Sequence, residues 1–181
     1  MGKILVHEFI TLDGVIENPA WSMEFGFDPR MGGDIGRIMG SSKALLMGRN
    51  TYEMFAPSWS TRTAEEDPGA PFMNESPKYV VSSTLRDPDW NNSSVIGGYD
   101  PDTIRSLKDG AGGDIYVSGS GALVRAMLAD GLVDELHLFV YPLVLGDGQR
   151  LFSDGRRAKL TLAESQTYDN GAVHLAYRPA A

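Results

Sequence analysis

Residues 115–124 constrain the fold more than any other part of the chain. They read Ile-Tyr-Val-Ser-Gly-Ser-Gly-Ala-Leu-Val, a strand pattern that passes through glycines directly into an amphipathic helix pattern. The first N–H groups of such a helix have no backbone partner, and the helix dipole makes that end positive, so the turn is suited to bind a phosphate or pyrophosphate. The motif Gly119-Ser120-Gly121 lacks the third glycine of the dinucleotide fingerprint. A turn that uses glycine only for its backbone freedom is therefore the alternative.

The composition is that of a globular protein and excludes several classes of function. The chain has 181 residues, of which 42% are hydrophobic and 22% charged, and we expect one domain over residues 1–181. The net charge of −8 and the lack of a Lys/Arg run argue against nucleic acid as a partner. The chain has no cysteine, so disulfides, thiol nucleophiles and cysteine metal sites are excluded. Neither a signal peptide nor a membrane-length apolar run is visible, so we expect a soluble, cytoplasmic protein with no membrane partner.

Strand and helix patterns alternate along most of the chain, which predicts an α/β fold with a mostly parallel central sheet. Helices are predicted to start at Asp28-Pro29 and Asp100-Pro101, because Asp is a good N-cap and Pro suits the first helical position. Asp169-Asn-Gly171 joins the last two strands as a hairpin, which adds antiparallel strands at one side. The predicted strands are 3–12, 44–47, 78–83, 115–118, 133–141, 159–167 and 173–178.

One segment shows neither a strand pattern nor a helix pattern. Residues 59–77 are rich in Thr, Glu, Pro and Gly and are predicted to form a long loop. A lid over a ligand and a disordered loop are both open interpretations.

Three predicted strands end in small or cationic residues at the edge where α/β sheets bind ligands. An arginine after one strand suits bidentate phosphate contact, hydroxyls follow the next, and backbone donors follow the third. Together they could hold an adenine nucleotide with an extra phosphate, although a surface arginine and ordinary turn serines would give the same residues. The three segments are Gly48-Arg49-Asn50-Thr51, Ser82-Ser83-Thr84 and Gly119-Ser120-Gly121.

The same segments resemble two related families. Leu46-Met-Gly-Arg-Asn-Thr-Tyr-Glu53 is similar to the Met-Gly-Arg-x-Thr segment of dihydrofolate reductases, and Val81-Ser-Ser83 and Ser118-Gly-Ser-Gly121 resemble their second cofactor strand and glycine turn. Further motifs are more similar to the C-terminal reductase domain of the riboflavin-biosynthesis protein RibD, in its stand-alone form. These motifs are Thr11-Leu-Asp-Gly14, Gly131-Leu-Val-Asp-Glu-Leu136 and Pro142-Leu-Val-Leu-Gly146.

The resemblance implies a dihydrofolate-reductase-like three-layer sandwich that binds NADPH, with a homodimer as its common assembly. The implied function is hydride transfer to a small heterocyclic or imine-type substrate, as in 5-amino-6-(5-phosphoribosylamino)uracil reductase. The strand end at Thr11, Asp13 and Gly14 would approach the nicotinamide and the substrate. By position, the cofactor phosphates would contact Gly48, Arg49 and Thr51, the adenosine and its 2′-phosphate would contact Ser82 and Ser83, and the pyrophosphate would contact Gly119, Ser120, Gly121, Ala122 and Leu123.

The chain also departs from the RibD pattern. Val15 stands where those domains usually have Lys, Ser118 stands where they usually have an acidic residue, and no acidic pair follows the second strand. A dihydrofolate-reductase-type activity and a nucleotide-binding module without turnover are therefore the alternatives. For the former, Asp34 is the carboxylate on the corresponding helix, with a solvated helix-face charge as its simpler interpretation.

The remaining candidates are single residues. Asp13 and Glu17 are the carboxylates closest to the predicted nicotinamide and are the candidate catalytic acids, although Asp13 could instead cap its own turn. Thr11, Trp21 and Trp59 are the candidate substrate-pocket residues, with ordinary packing as the alternative for each tryptophan. We expect no metal site, because the three histidines lie in separate predicted strands without a visible ligand cluster.

Overall fold

The computed structural model describes residues 2–152 and 157–180. Within them, one sheet of eight strands is surrounded by five α-helices and a 3-10 segment at Pro19–Phe25. The strands are β1 (Ile4–Thr11), β2 (Ser42–Gly48), β3 (Lys78–Val81), β4 (Ser93–Val95), β5 (Asp114–Ser118), β6 (Glu135–Tyr141), β7 (Leu160–Thr167) and β8 (Val173–Pro179). The helices are α1 (Pro29–Gly40), α2 (Arg49–Trp59), α3 (Ala70–Glu75), α4 (Pro101–Gly110) and α5 (Gly121–Ala129).

The sheet order is β4-β3-β2-β5-β1-β6-β8-β7, and its first six strands are parallel. β8 pairs antiparallel with both β6 and β7, which confirms the predicted C-terminal hairpin on a mostly parallel sheet. β1 lies between β5 and β6, where His7 pairs with Ser118 on one side and with His137 on the other. The strand-to-glycine turn of β5 is therefore next to the middle of β1.

Helices cover both faces of the sheet, so the fold has three layers with the sheet in the middle. One core cluster, which includes Val6 and Val117, packs against α4 and α5 through residues such as Ile104 and Val124. The other cluster includes Leu45 and packs against α1, α2 and α3. Side chains alternate between the two faces along each strand, so consecutive residues of β1 face different helices. This is the dihydrofolate-reductase-like three-layer α/β fold that the resemblance implies.

The prediction of a long loop over 59–77 is wrong in part. α2 continues to Trp59, and α3 lies inside the segment, with Ala70 and Met73 buried. The buried ammonium of Lys78 donates hydrogen bonds to the carbonyls of Asn74 (3.0 Å) and Ser76 (2.9 Å) and so closes the end of α3. β4 and the 3-10 segment were also not predicted; each is short and lacks a strong local pattern.

Candidate functional site

A cavity of about 1650 Å³ opens at the carboxyl ends of the parallel strands. Its floor is the sheet edge, which includes His7, Glu8 and Phe9 of β1. One wall is formed by α1, α2 and α3, and the glycine turn with the start of α5 forms the other. This is the edge where open α/β sheets bind ligands. The volume is sufficient for a dinucleotide together with a small ligand.

Two helix starts are joined at this cavity. Gly48 is the N-cap of α2, and Ser120 is the N-cap of α5. The Ser120 hydroxyl accepts a hydrogen bond from the Gly48 N–H (2.7 Å) and donates one to Thr51 Oγ1 (2.6 Å). The positive ends of both helices therefore face the same space, which suits a pyrophosphate. The cavity-lining residues of these two segments are Gly48, Arg49, Asn50, Thr51, Gly119, Ser120, Gly121, Ala122 and Leu123.

The glycine turn has an unusual backbone. Gly119 and Ser120 both have positive φ, at 72° and 69°. Two successive residues in this region direct the chain sharply out of β5 and into α5, and the conformation favours glycine at each position. Ser120 instead keeps a side chain there, and its hydroxyl links α2 to α5.

Arg49 lines the cavity, and a second, shallower depression of about 650 Å³ is lined by other residues, including Arg86. Its guanidinium is 3.4 Å from Thr84 Oγ1 and its Nε is 3.9 Å from Glu53. Ser82 and Ser83 line the second depression and not the large cavity. The Ser82 hydroxyl accepts hydrogen bonds from the N–H groups of Thr84 (3.1 Å) and Leu85 (2.9 Å), so it also holds its own turn.

Asp13 and Thr11 support a turn and do not line the cavity. The Asp13 carboxylate accepts hydrogen bonds from Thr11 Oγ1 (2.6 Å) and from the N–H groups of Gly146 (2.8 Å) and Leu145 (3.2 Å). These hydrogen bonds lower the pKa of Asp13 to about 2, and the bond from Thr11 has the largest effect. A carboxylate that stays ionised at neutral pH has no proton to donate, so this geometry favours the turn-holding alternative for Asp13.

Of the other three candidate residues from the sequence, two line the cavity and the third packs against the core. Glu17 and Trp59 line the cavity, whereas Trp21 does not. The Glu17 carboxylate accepts a hydrogen bond from the Gln149 N–H (3.1 Å), and the Arg62 guanidinium lies 4.6 Å from the Trp59 ring centre. Trp21 packs edge-on against Tyr141, with 5.5 Å between ring centres. For Trp21, ordinary packing is the better interpretation.

Glu8 is a cavity residue that the sequence analysis missed. Its side chain is only 4% exposed, and Oε1 has no hydrogen-bond partner among the described residues. Burial raises the pKa of Glu8 to about 8, against a smaller opposite effect of Arg125. The available signal was the single acidic residue of a mostly apolar segment, Ile4 to Ile10, in which His7 is the other polar residue. Buried acids of this kind concentrate at functional sites.

His7 is the second missed residue. It lines the cavity beside Glu8, and its Nδ1 is 2.7 Å from the Tyr116 hydroxyl. Burial lowers the pKa of His7 to about 3, so the imidazole is neutral. Its Nε2 is buried and has no hydrogen-bond partner among the described residues.

The wall on the side of α1 is apolar. Gly32, Gly33 and Gly36 bring the α1 backbone to the cavity surface. Asp34 is absent from this wall; its carboxylate instead accepts a hydrogen bond from Tyr168 (2.6 Å). The carboxylate of a dihydrofolate-reductase-type site is thus not supplied by Asp34. The large side chains of the wall are Phe27, Ile35, Met39, Met54, Phe55, Trp59, Phe72 and Met73.

One described group has ligand atoms close enough to hold a metal ion. Oxygen atoms of Asp34 and Glu164 lie within 4.8 Å of each other and of a His174 ring nitrogen. The Arg37 guanidinium contacts both carboxylates, at 3.2 and 3.0 Å, and so already supplies a positive charge. The absence of a functional metal stays a prediction.

Comparison with known proteins agrees with this fold. The sequence profile of the RibD C-terminal domain matches residues 2–174, and the chain belongs to that family. Among curated relatives, the protein YyaP of Bacillus subtilis is 29% identical over 97% of this chain and 94% of its own length, and YwjB of the same organism is 25% identical over 97% of both. Both are named as uncharacterized.

Solved structures share the fold. A protein of Shewanella sp. PV-4, provisionally assigned to riboflavin biosynthesis, is 21% identical with a TM-score of 0.81 over the whole of both chains. A pyrimidine reductase-like protein of Corynebacterium diphtheriae is 15% identical with a TM-score of 0.69 over 99% of this chain and 92% of its own. The Thermotoga maritima diaminohydroxyphosphoribosylaminopyrimidine deaminase/5-amino-6-(5-phosphoribosylamino)uracil reductase is 16% identical with a TM-score of 0.70, and this chain spans 57% of it. In the described part of this chain, no helix has the length and apolar character needed to cross a bilayer.

Proposed function

We propose that this protein is an NADPH-dependent reductase that acts on a small heterocyclic substrate with a C=N or similar acceptor bond. The observation that carries the proposal is the convergence of two helix starts, joined through Ser120, on a cavity with an apolar wall. A pyrophosphate between positive helix ends and a planar ring against an apolar wall both match this chemistry. Membership of the RibD C-terminal domain family supports the same reaction class.

The residues present fit a phosphorylated dinucleotide. The starts of α2 and α5 would hold its pyrophosphate, and Arg49 with Ser83 and Arg86 of the adjoining depression would hold the 2′-phosphate. When bound, NADPH supplies a hydride from its nicotinamide ring. The chain itself orients the reactants, excludes water through the apolar wall and supplies a proton.

Two finer assignments belong to the same proposal. A substrate related to 5-amino-6-(5-phosphoribosylamino)uracil is favoured by the reductase named for the Thermotoga relative. A homodimer is favoured by the exposed edge strand β7. The dihydrofolate-reductase alternative is weakened because Asp34 is directed to Tyr168.

Cofactor preference tests the proposal directly. Arg49→Ala should weaken NADP(H) about 10- to 100-fold and NAD(H) much less, because a charge-assisted hydrogen bond to the 2′-phosphate contributes about 1.5–3 kcal/mol. Thermal shifts and calorimetric titration with each dinucleotide measure this. Arg105→Ala, an exposed residue of α4 that pairs with Asp102, is the matched control and should bind both as the wild type does.

Two results would contradict the proposal. If neither NADP(H) nor NAD(H) stabilises the protein against heat, the reductase assignment fails. If Arg49→Ala weakens both dinucleotides equally, the 2′-phosphate assignment fails. Oxidation of NADPH in the presence of 5-amino-6-(5-phosphoribosylamino)uracil then tests the substrate class.

A further inference from the structure

Positive side chains are scarce on the surface of the large cavity. Arg49 lines the cavity, and no other Arg or Lys in the described part of the chain does. His7 also lines it, but burial lowers the pKa of His7 to about 3, so its ring is neutral. If Arg49 binds the 2′-phosphate of the cofactor, the described residues leave no cationic side chain in the cavity for a second phosphate.

The arginines close to the apolar wall are already paired. The Arg62 guanidinium lies 4.6 Å from the Trp59 ring centre and 3.6 Å from the Asp67 carboxylate. On α1, Arg30 and Arg37 each contact two carboxylates. None of these three arginines lines the cavity. A phosphate at the wall would therefore be an unpaired charge next to apolar side chains, which costs free energy.

The ionised groups that do line the cavity beside Arg49 are acidic. Glu17, Glu66 and Asp67 belong to the lining, and their carboxylates accept hydrogen bonds from backbone N–H groups at 3.1, 2.8 and 2.8 Å. Negative charges at this surface repel an anionic substrate. Because backbone donors already bind the three carboxylates, they do not require a cationic ligand either. A neutral substrate fits this surface best.

The surface that remains for the substrate is apolar and partly exposed. Phe27 and Met54 line the cavity, and 66% and 47% of them are exposed. A Cβ at Gly32 would come within 2.9 Å of the Phe27 ring, so this ring lies against the α1 backbone. One turn later, a Cβ at Gly36 would meet nothing within 4 Å outside its own helix backbone, so α1 borders open space there. An apolar group that covers these surfaces removes them from water.

We propose that the substrate is an uncharged planar heterocycle that carries an apolar substituent and no phosphate, an inference that rests on the proposed function. The ring lies against α1 at Gly36, and the substituent covers the exposed side chains of Phe27 and Met54. The heterocycle of 5-amino-6-(5-phosphoribosylamino)uracil meets this description, whereas its ribose phosphate does not.

Three probes with the same ring and different substituents test the proposal. The ring is 5,6-diaminouracil, and its 6-amino group carries ribose 5-phosphate, ribose or benzyl. Calorimetric titration of the full chain saturated with NADP⁺, which has no hydride to donate, measures each affinity. The benzyl probe should bind about 10-fold more tightly than the ribosyl probe, because it covers apolar surface. The phosphoribosyl probe should bind no more tightly than the ribosyl probe.

Two variants test where the probes bind. Phe27→Ala should weaken the benzyl probe about 10-fold and leave NADP⁺ binding unchanged. Phe152→Ala is the matched control, because Phe152 is also exposed but does not line the cavity, and it should bind the benzyl probe as the wild type does. Gly36→Ala places a methyl group in the open space and should weaken every probe that binds the wild type about 10-fold or more. The same variant should raise the melting temperature of the free protein, because alanine favours a helix more than glycine does.

Each outcome decides the proposal. Tighter binding of the phosphoribosyl probe than of the ribosyl probe would overturn it, and loss of that preference in Arg49→Ala would assign Arg49 to the substrate. Unchanged affinity for the benzyl probe in Phe27→Ala or in Gly36→Ala, or failure of all three probes to bind, would also overturn it. In these cases NADP⁺ still binds, and the reductase assignment stands. Failure of NADP⁺ itself to bind is a different result, which removes the proposed function and this inference with it.

Discussion

At the scale of single residues, the raised pKa of Glu8 should lower the free energy of unfolding as pH rises. Its pKa is about 8 in the folded protein and 4.5 ordinarily, so the folded state binds this proton more tightly than the unfolded state does. The stabilisation by the bound proton is complete below the ordinary value and is lost as pH rises through the folded value. Glu8→Gln has no such proton. The unfolding free energy of Glu8→Gln minus that of the wild type should therefore increase as pH rises from 4.5 to about 8, by up to about 1.4 kcal/mol per pH unit.

Urea unfolding at about pH 5 and about pH 8, inside that window, measures the effect. Glu24→Gln, at an exposed site of the 3-10 segment, controls for the loss of one negative charge. An equal stability difference between Glu8→Gln and wild type at both pH values would show that Glu8 is ionised in the folded protein.

Asp13 and Glu8 also show where the sequence was informative and where it was not. Asp13 follows a strand and precedes a glycine, so its place near a turn could be predicted, and its side chain does hold that turn. Glu8 has one local signal, an acidic residue in a mostly apolar strand, but its place at the cavity could not be predicted, because its surroundings come from β5, β6 and α5, which are remote in the chain. Long-range burial of a single carboxyl is not visible in periodicity.

At the scale of elements, strong local signals gave correct predictions. α1 and α4 start where predicted because the Asp28 and Asp100 side chains accept hydrogen bonds from the N–H groups of Arg30 and Thr103. α3 has no such cap: Gly69 precedes it without a side-chain hydrogen bond, and Lys78 closes its end from the next strand. An element held by tertiary contacts could not be predicted from its own six residues.

The junction of α2 and α5 gives the prediction at this scale. Ser120→Ala removes the hydrogen bonds to Gly48 and Thr51 and should destabilise the protein by about 1–2 kcal/mol. Ser120→Gly removes the same bonds but relieves the strain of a side chain at positive φ, so it should recover about 1 kcal/mol of that loss. Both variants should bind NADP(H) more weakly, because the two helix starts are no longer held together.

Urea unfolding and NADPH titration of the pair check this expectation. If Ser120→Ala is as stable as wild type, the hydroxyl link contributes nothing. If Ser120→Gly is less stable than Ser120→Ala, glycine flexibility outweighs the strain at this position. The first result would remove the proposed link between the two helix starts, whereas the second would contradict only the strain assigned to Ser120.

At the scale of the whole molecule, the cavity and the positive groups around it come from segments that are distant in the chain. The chain carries a net charge of −8, yet the proposed ligand is an anion. The attraction must therefore be local and come from Arg49 and the two helix starts. The segments that carry the cofactor motifs could be found from the sequence. The apolar wall from α1 and α3 could not, because nothing local indicates which face of α1 meets the cavity.

The exposed edge of the sheet gives the last prediction, on assembly. β7 is an eight-residue edge strand whose residues are mostly exposed, with Leu162 at 51%. Its one acidic residue, Glu164, is paired with Arg37 at 3.0 Å, so little charge protects the edge. A second copy that pairs β7 with β7 about a two-fold axis would cover it. The other edge, β4, has only three residues and offers a much shorter surface.

Sedimentation equilibrium at micromolar concentration should therefore give a dimer for the wild type. Leu162→Glu should give a monomer, because it adds an unpaired negative charge to the edge strand that the second copy would cover. Ser94→Glu adds the same charge to the exposed part of β4 and should leave the dimer intact. A monomeric wild type would contradict the dimer itself. A dimeric Leu162→Glu protein, with the dimer lost in Ser94→Glu, would instead move the interface to the opposite edge of the sheet.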